Sequence, residues 1–180
     1  MEIRAKVTEF VRLRIESLRS EYNNKSNTDN SLHHFQNAAC LRTNCMRYLP
    51  NFFNKGQLEK LFFCFPDPHF KAKNHRRRII NNVLLSEYAY FLCPNGRLYT
   101  ITDVEELYKW HVEKCDQHPY FERLNDEEIL INDPCVQAII EETEEGKKVS
   151  RNNGKKYIAV YRRKNDSEIS APKLLTLFQS

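Results

Sequence analysis

Helical and strand-like patterns that alternate along 180 residues with short connections predict a doubly wound α/β domain, a mainly parallel sheet with helices on both faces. Two stretches carry that expectation. Lys60–Phe65 is an apolar, aromatic run of strand length stopped by Pro66, the pattern of a strand covered on both faces. Ile3, Val7, Phe10, Val11, Ile15 and Leu18 recur at three- and four-residue steps, the pattern of an amphipathic helix over residues 3–20.

The other elements follow in order. Residues 19–32 are polar and unpatterned and read as a loop; Ala38–Arg42 reads as a short strand, and Met46–Phe53 as a turn of helix. From Asn74 to Leu92 the pairs Ile79/Ile80, Val83/Leu84 and Phe91/Leu92, with Tyr88, predict one long helix, closed by Pro94-Asn95-Gly96. Arg97–Thr102 alternates as a strand. Thr102 with Glu105, or Asp103 with Glu106, offers a capping box for a helix to about Cys115. After an irregular segment come a charged helix over Glu141–Arg151 and a closing strand over Tyr157–Arg163. The domain is therefore expected over residues 1–164, with a flexible polar tail over 165–180.

Composition is that of a single globular domain, 41% hydrophobic, with 28 basic and 24 acidic residues and a net charge of +4. That balance is too mild to establish a polyanionic partner by its sum. Six cysteines lie mostly inside apolar segments, the usage of reduced thiols in an intracellular protein. No Cys-x-x-Cys pair occurs and Cys40 falls in an expected strand, so Cys40, Cys45, His33 and His34 are not read as a zinc site, and no metal is expected. No apolar run approaches a membrane span and the N-terminus lacks an h-region, so a soluble protein without a membrane partner is expected.

The chemistry concentrates where strands end. Pro66 stops the Lys60–Phe65 strand and sets Asp67 at its carboxyl edge, where open α/β sheets bind ligands. Asp67 reads either as a reacting carboxylate or as the cap of a turn. Asp103, just past the next strand, carries the same two readings. Glu2 directly precedes the first helix and reads as a ribose-gripping carboxylate or as a favourable charge at a helix start. The four glycines stand apart from one another, so no phosphate-cradling loop occurs, and the sheet is expected to lack its opening strand. The basic run Lys71, Lys73, Arg76, Arg77, Arg78 leaves the Asp67 turn and reads as a phosphate-binding stripe, a solvated helix or an import signal.

Several short motifs follow one another in a distinctive order. Phe65-Pro66-Asp67-Pro68-His69-Phe70-Lys71, then Glu87-Tyr88-Ala89-Tyr90, then Tyr99-Thr100-Ile101-Thr102-Asp103, then Thr143-Glu144-Glu145-Gly146-Lys147 together closely resemble the tRNA (guanine-N7-)-methyltransferase family in its eukaryotic form. The resemblance spans nearly the whole chain. Leu92–Leu98 also resembles the turn-and-strand signature of class I methyltransferases, which are Rossmann-like. A methyltransferase acting on amino nitrogens would show Asn-Pro-Pro-aromatic at this strand end, and Pro-Asp-Pro-His departs from it.

The resemblance implies transfer of a methyl group from S-adenosyl-L-methionine to N7 of a guanosine in the tRNA variable loop, on an N-terminally truncated class I domain. It implies cofactor contacts at Glu2, Arg4, Asn44, Cys45, Cys64, Thr143, Glu144 and Glu145, and catalysis at Asp67. Substrate contacts are implied at His69, Lys71, Lys73, Arg76, Arg77, Arg78 and Asp103. The family also implies tRNA as partner, a WD-repeat β-propeller as non-catalytic subunit, and the nucleus, with the cytoplasm second, as compartment. The alternative expectation is a non-catalytic isoform or fragment that keeps the tRNA- and partner-binding surfaces. Without a glycine-rich opening segment the chain is expected to be poorly soluble or loosely packed and to bind the cofactor far more weakly than a version with the upstream segment restored, a comparison that separates the two expectations.

Overall fold

The computed structural model describes residues 1–25, 35–125 and 131–169. The chain divides into two compact units, Met1–Phe52 and Phe53–Ser180.

In the first unit the expected helix forms as α1, Ala5–Lys25, and runs through residues 19–25 where a loop was expected; the rest of that loop, with His33 and His34, lies outside the described residues. Val7, Val11, Ile15 and Leu18 are half-buried as their spacing requires, whereas Phe10 is exposed. Arg19 ties the returning chain to α1, its Nη2 donating to the Ala38 carbonyl at 2.8 Å and its Nε to that of Phe35 at 3.2 Å. The strand expected over Ala38–Arg42 contracts to a single parallel bridge between Glu2 and Arg42. The helix α2, Cys45–Tyr48, follows, continued by a 3-10 turn at Leu49–Asn51.

The second unit holds the sheet, ordered β1-β2-β4-β3. Its strands are β1 (Leu58–Cys64), β2 (Leu92–Thr102), β3 (Phe121–Arg123) and β4 (Tyr157–Arg163). The helices are α3 (Asn82–Phe91), α4 (Glu105–Gln117), α5 (Pro134–Glu141) and α6 (Glu144–Arg151). β1 and β2 pair in parallel, while β4 is inserted antiparallel between β2 and β3. The fold is α/β, and its sheet is mixed: β1, β2 and β3 share one direction and β4 opposes them. The period-2 pattern of a strand reads the same in either sense, so the sequence carried no sign of that reversal.

Helices cover both faces. On one, Tyr99, Ile101 and Val160 pack with Val136 and Ile139 of α5. On the other, Phe63 meets Tyr88 of α3 at 4.8 Å between ring centroids, and the Tyr161 hydroxyl donates to Asp116 of α4 at 2.8 Å. β1 is not covered on both faces as its composition suggested: it ends the strand order of its unit, and Phe62 remains 39% exposed while stacking on Tyr99 at 4.6 Å.

Three local expectations change. The long helix from Asn74 is broken: a 3-10 turn covers Ala72–Arg77, Arg78 is extended, and α3 starts only after Asn81, whose Oδ1 caps it by accepting from the Leu84 amide at 3.0 Å. Pro94-Asn95-Gly96 does not separate helix from strand but lies inside β2 as a bulge opposite β1, with Asn95 at φ 65. A Cβ at Gly96 would stand 2.8 Å from the Cys93 carbonyl, so only glycine fits there. Neither capping box forms at α4. Val104 takes the cap position, and its amide donates to Thr102 Oγ1 at 3.1 Å.

The described chain also continues past the expected boundary at 164. Arg162 pairs with Glu168 at 2.6 Å and Arg163 with Asp166 at 2.6 Å, which fastens a 3-10 turn over Asp166–Glu168. Residues 170–180 of the expected tail lie outside the described residues.

Candidate active site

Asp67 lies where the two parallel strands end. Cys64 pairs with Ile101, the Phe65 amide still donates to the Ile101 carbonyl at 2.8 Å, and then the chain leaves the sheet. Pro66 and Pro68 have no amide hydrogen to continue a ladder. Phe65 and His69 both adopt left-handed backbone, φ 49 and 45, and turn the chain sharply around Asp67. Asp67 Oδ1 accepts the His69 amide at 2.9 Å, and its side chain is 73% exposed. The turn-capping contact is therefore present, and the exposed carboxylate keeps acceptor capacity to spare. Asp103 is exposed immediately past the end of β2. The geometry thus brings Asp67 and Asp103 to the same carboxyl edge, on neighbouring parallel strands.

Behind the loop stands Arg78, and here the structure corrects the expectation of a phosphate ligand. Arg78 is only 1% exposed. Its Nε donates to the Pro68 carbonyl at 2.8 Å, and its Nη2 to Glu106 Oε1 at 2.6 Å and to His75 Nε2 at 3.0 Å. Because arginine only donates, His75 Nε2 accepts. The guanidinium lies 4.8 Å over the Trp110 ring, and Trp110 Nε1 donates to the Ile80 carbonyl at 2.7 Å. The Arg78 guanidinium holds the Glu106 carboxyl below its usual range. Trp110 was not singled out from the sequence, and Glu106 was read only as a capping-box partner of Asp103. The available signal was Arg78 sitting directly against Ile79-Ile80, an apolar pair that draws its neighbour inward.

Lys71, Lys73, Arg76 and Arg77 are exposed, and Phe70 beside them is 66% exposed. His69 is half-buried under the turn, its Nδ1 3.7 Å from Asp67 Oδ1. Exposed cations next to an exposed ring and a strand-end carboxylate form a surface suited to a phosphate backbone and a base.

Thr143 caps α6: its hydroxyl accepts the Gly146 amide at 3.2 Å and donates to the Ile139 carbonyl at 3.0 Å. Glu144 and Glu145 occupy the first turn and pair with Lys147 at 3.7 Å and Lys148 at 2.8 Å on their own helix. Their first-turn position is the one where the helix dipole favours negative charge. Cys64 is exposed at the end of β1.

In the first unit, Glu2 and Asn44 flank a common edge: the Glu2 amide donates to the Leu41 carbonyl and the Thr43 amide to the Glu2 carbonyl, both at 3.0 Å. Arg4 grips the Glu2 carboxylate through its amide at 2.8 Å, Nε at 3.0 Å and Nη2 at 3.1 Å, and keeps that carboxyl below its usual range. Asn44 Oδ1 caps α2 by accepting the Met46 amide at 3.1 Å. Burial pushes the Cys45 thiol up, so it stands as a thiol rather than a thiolate. The Glu2 side chain remains 24% exposed, and an accessible carboxylate is the acceptor that ribose hydroxyls require.

Among the described residues no group of three or more His, Cys, Asp or Glu side chains is placed to hold a metal ion, and no helix is long and apolar enough to cross a membrane.

Residues 1–159 match the family model described as "Putative methyltransferase". The chain is 54% identical over 162 residues to a Bombyx mori protein named tRNA (guanine-N(7)-)-methyltransferase, covering 90% of this chain and 64% of that one. Proteins of the same name from Schizosaccharomyces pombe and Caenorhabditis elegans are 52% and 51% identical over 163 residues, covering 91% of this chain and 58% and 60% of theirs. The chain thus spans about 58–64% of the length of these curated relatives.

Proposed function

This chain belongs to the methyltransferase family whose model it matches over residues 1–159, and we propose that it serves methyl transfer from S-adenosyl-L-methionine to N7 of a guanosine in the tRNA variable loop. The observation that carries the reading is the placement of Asp67 and Asp103 at one carboxyl edge of parallel strands, beside exposed Lys71, Lys73, Arg76 and Arg77. The names of the relatives support the substrate.

S-adenosyl-L-methionine supplies a methyl carbon made electrophilic by its sulfonium. Guanine N7 carries a lone pair and no proton, so the protein need not supply a strong base. Its task is to hold the base in line, an effect that reaches about 7–11 kcal/mol in well-oriented reactions. Asp67 accepts from the guanine edge and favours the positive charge that grows on the ring as N7 is alkylated. Asp103 makes a second contact at the neighbouring strand end. In the first unit Glu2, Arg4, Asn44 and Cys45 are proposed as cofactor contacts, and in the second, taken by itself, Cys64, Thr143, Glu144 and Glu145 are. The cations beyond Phe70 take the phosphates that flank a guanosine turned out of the folded tRNA, and His69 packs beneath it. A WD-repeat β-propeller subunit and a nuclear location, with the cytoplasm second, complete the proposal.

The test is direct. Purified protein is incubated with tRNA and methyl-labelled S-adenosyl-L-methionine, and the labelled nucleoside is identified after digestion. 7-Methylguanosine from the variable loop supports the proposal; label on an exocyclic amino group or a ribose overturns it.

A further inference from the structure

We propose that Arg78 is a positioning residue that sets the distance between the two strand-end carboxylates, and that phosphate contact within the basic run belongs to its exposed members. This rests on the reading of Asp67 as the reacting carboxylate. The two segments that Arg78 joins are the reason. Its Nε holds Pro68, one residue past Asp67, at 2.8 Å, and its Nη2 holds Glu106, three residues past Asp103, at 2.6 Å. One planar guanidinium therefore bridges the loop that follows β1 and the helix start that follows β2.

The loop has need of such an anchor. Left-handed backbone at Phe65 and His69 is unfavourable for residues with a Cβ and persists only where surroundings impose it. Pro66 and Pro68 contribute no donors, so the Phe65 amide holds the near end to Ile101 and the Pro68 carbonyl is the grip at the far end. Arg78 is itself immobilised. It is enclosed by Trp110, whose indole is fixed to Ile80 and carries Lys114 at 4.8 Å as a second cation, and by His75, whose ring meets Trp110 at 5.4 Å. At 1% exposure it has no access to a tRNA phosphate. Lysine would keep the charge but has no rigid fork to reach Pro68, Glu106 and His75 together.

The experiment compares Arg78→Lys, Arg78→Gln, Asp67→Ala and the double variant Arg78→Lys/Asp67→Ala. It reads single-turnover methyl transfer at saturating tRNA, tRNA affinity across a salt series, thermal melting, and hydrogen exchange at the His69 amide. Arg78→Lys is expected to slow transfer at least tenfold, to speed His69 exchange, and to slow the Asp67→Ala protein no further. Arg78→Gln is expected to leave the slope of log affinity against log salt unchanged. If melting shows Arg78→Gln unfolded, Glu106→Gln loosens the same fork and is expected to slow transfer several-fold at wild-type salt slope. Wild-type transfer by Arg78→Lys, a salt slope lowered by about one in Arg78→Gln, or a further tenfold loss in the double variant each overturns the proposal. Unchanged transfer by Asp67→Ala alone overturns the reading of Asp67 instead; slow His69 exchange in Arg78→Lys would still overturn the clamp by itself.

Discussion

The hydroxyl of Tyr99 donates to Asp133 Oδ2 at 2.8 Å, with both residues buried and Arg97 Nη1 donating to the same oxygen at 2.8 Å. The other carboxylate oxygen of Asp133 accepts the Cys135 amide at 2.9 Å and so caps α5. One carboxylate thereby fastens the helix on that face to the central strand β2. Burial pushes the Asp133 carboxyl up, but the hydrogen bonds from Tyr99, Cys135 and Arg97 outweigh it and leave the group below its usual range. Burial, and then the Asp133 contact, raise the Tyr99 hydroxyl, which remains protonated.

Tyr99→Phe is expected to destabilise the protein by about 1.5–3 kcal/mol, the usual range for a hydrogen bond to a charged group. Asp133→Ala costs more, because it also removes the cap and leaves buried donors unpaired. Urea unfolding monitored by circular dichroism measures both. A Tyr99→Phe protein as stable as the parent would show that Arg97 and the Cys135 amide hold Asp133 by themselves.

A pH dependence follows from two buried histidines. Burial, with the Arg78 charge, lowers His111 from 6.5 to about 4, and burial lowers His118 from 6.5 to about 4. Among the described residues both ring nitrogens of His111 lack partners, whereas His118 Nε2 meets Ser86 Oγ at 3.1 Å. Since the folded values are depressed, the unfolded chain takes up protons first as pH falls. The stability is complete above 6.5 and is lost between 6.5 and about 4, by up to about 3 kcal/mol per histidine. His111→Leu is expected to flatten that decline without loss at pH near 7, because a buried imidazole without partners contributes no hydrogen bond there. A decline as steep as the parent's would place the titration elsewhere.

Much of this was legible. The strands Leu58–Cys64 and Tyr157–Arg163 and the helices α1 and α4 fell close to where periodicity put them. The strand-end position of Asp67 followed from two prolines that cannot pair. What stayed hidden depends on contacts distant in sequence. A basic run reads uniformly as solvent-facing, yet the bonds from Arg78 to Pro68 and Glu106, 10 and 28 residues away, bury it and break the helix expected through it. The α5 helix was lost in a stretch read as irregular, since eight residues from Pro134 give little room for a repeat to declare itself.

The basic run is therefore expected to divide. Arg76→Ala with Arg77→Ala should weaken tRNA binding across sequences and lower the log–log salt slope by roughly one unit for each phosphate contact removed. Filter binding between low and moderate salt reads the slope. An unaltered slope would assign these two arginines to solvent or to an import signal.

The Asp67 carboxylate is proposed to act on the bound guanosine, and single-turnover transfer by Asp67→Ala at saturating tRNA and S-adenosyl-L-methionine tests this most directly. The side chain is exposed, so its loss should leave folding intact. One electrostatic contact aimed at developing charge is typically worth ~2.7–4 kcal/mol, so the rate should fall at least tenfold with tRNA affinity nearly unchanged. Transfer at the parent's rate would contradict the account and leave Asp67 as the cap of the turn at His69.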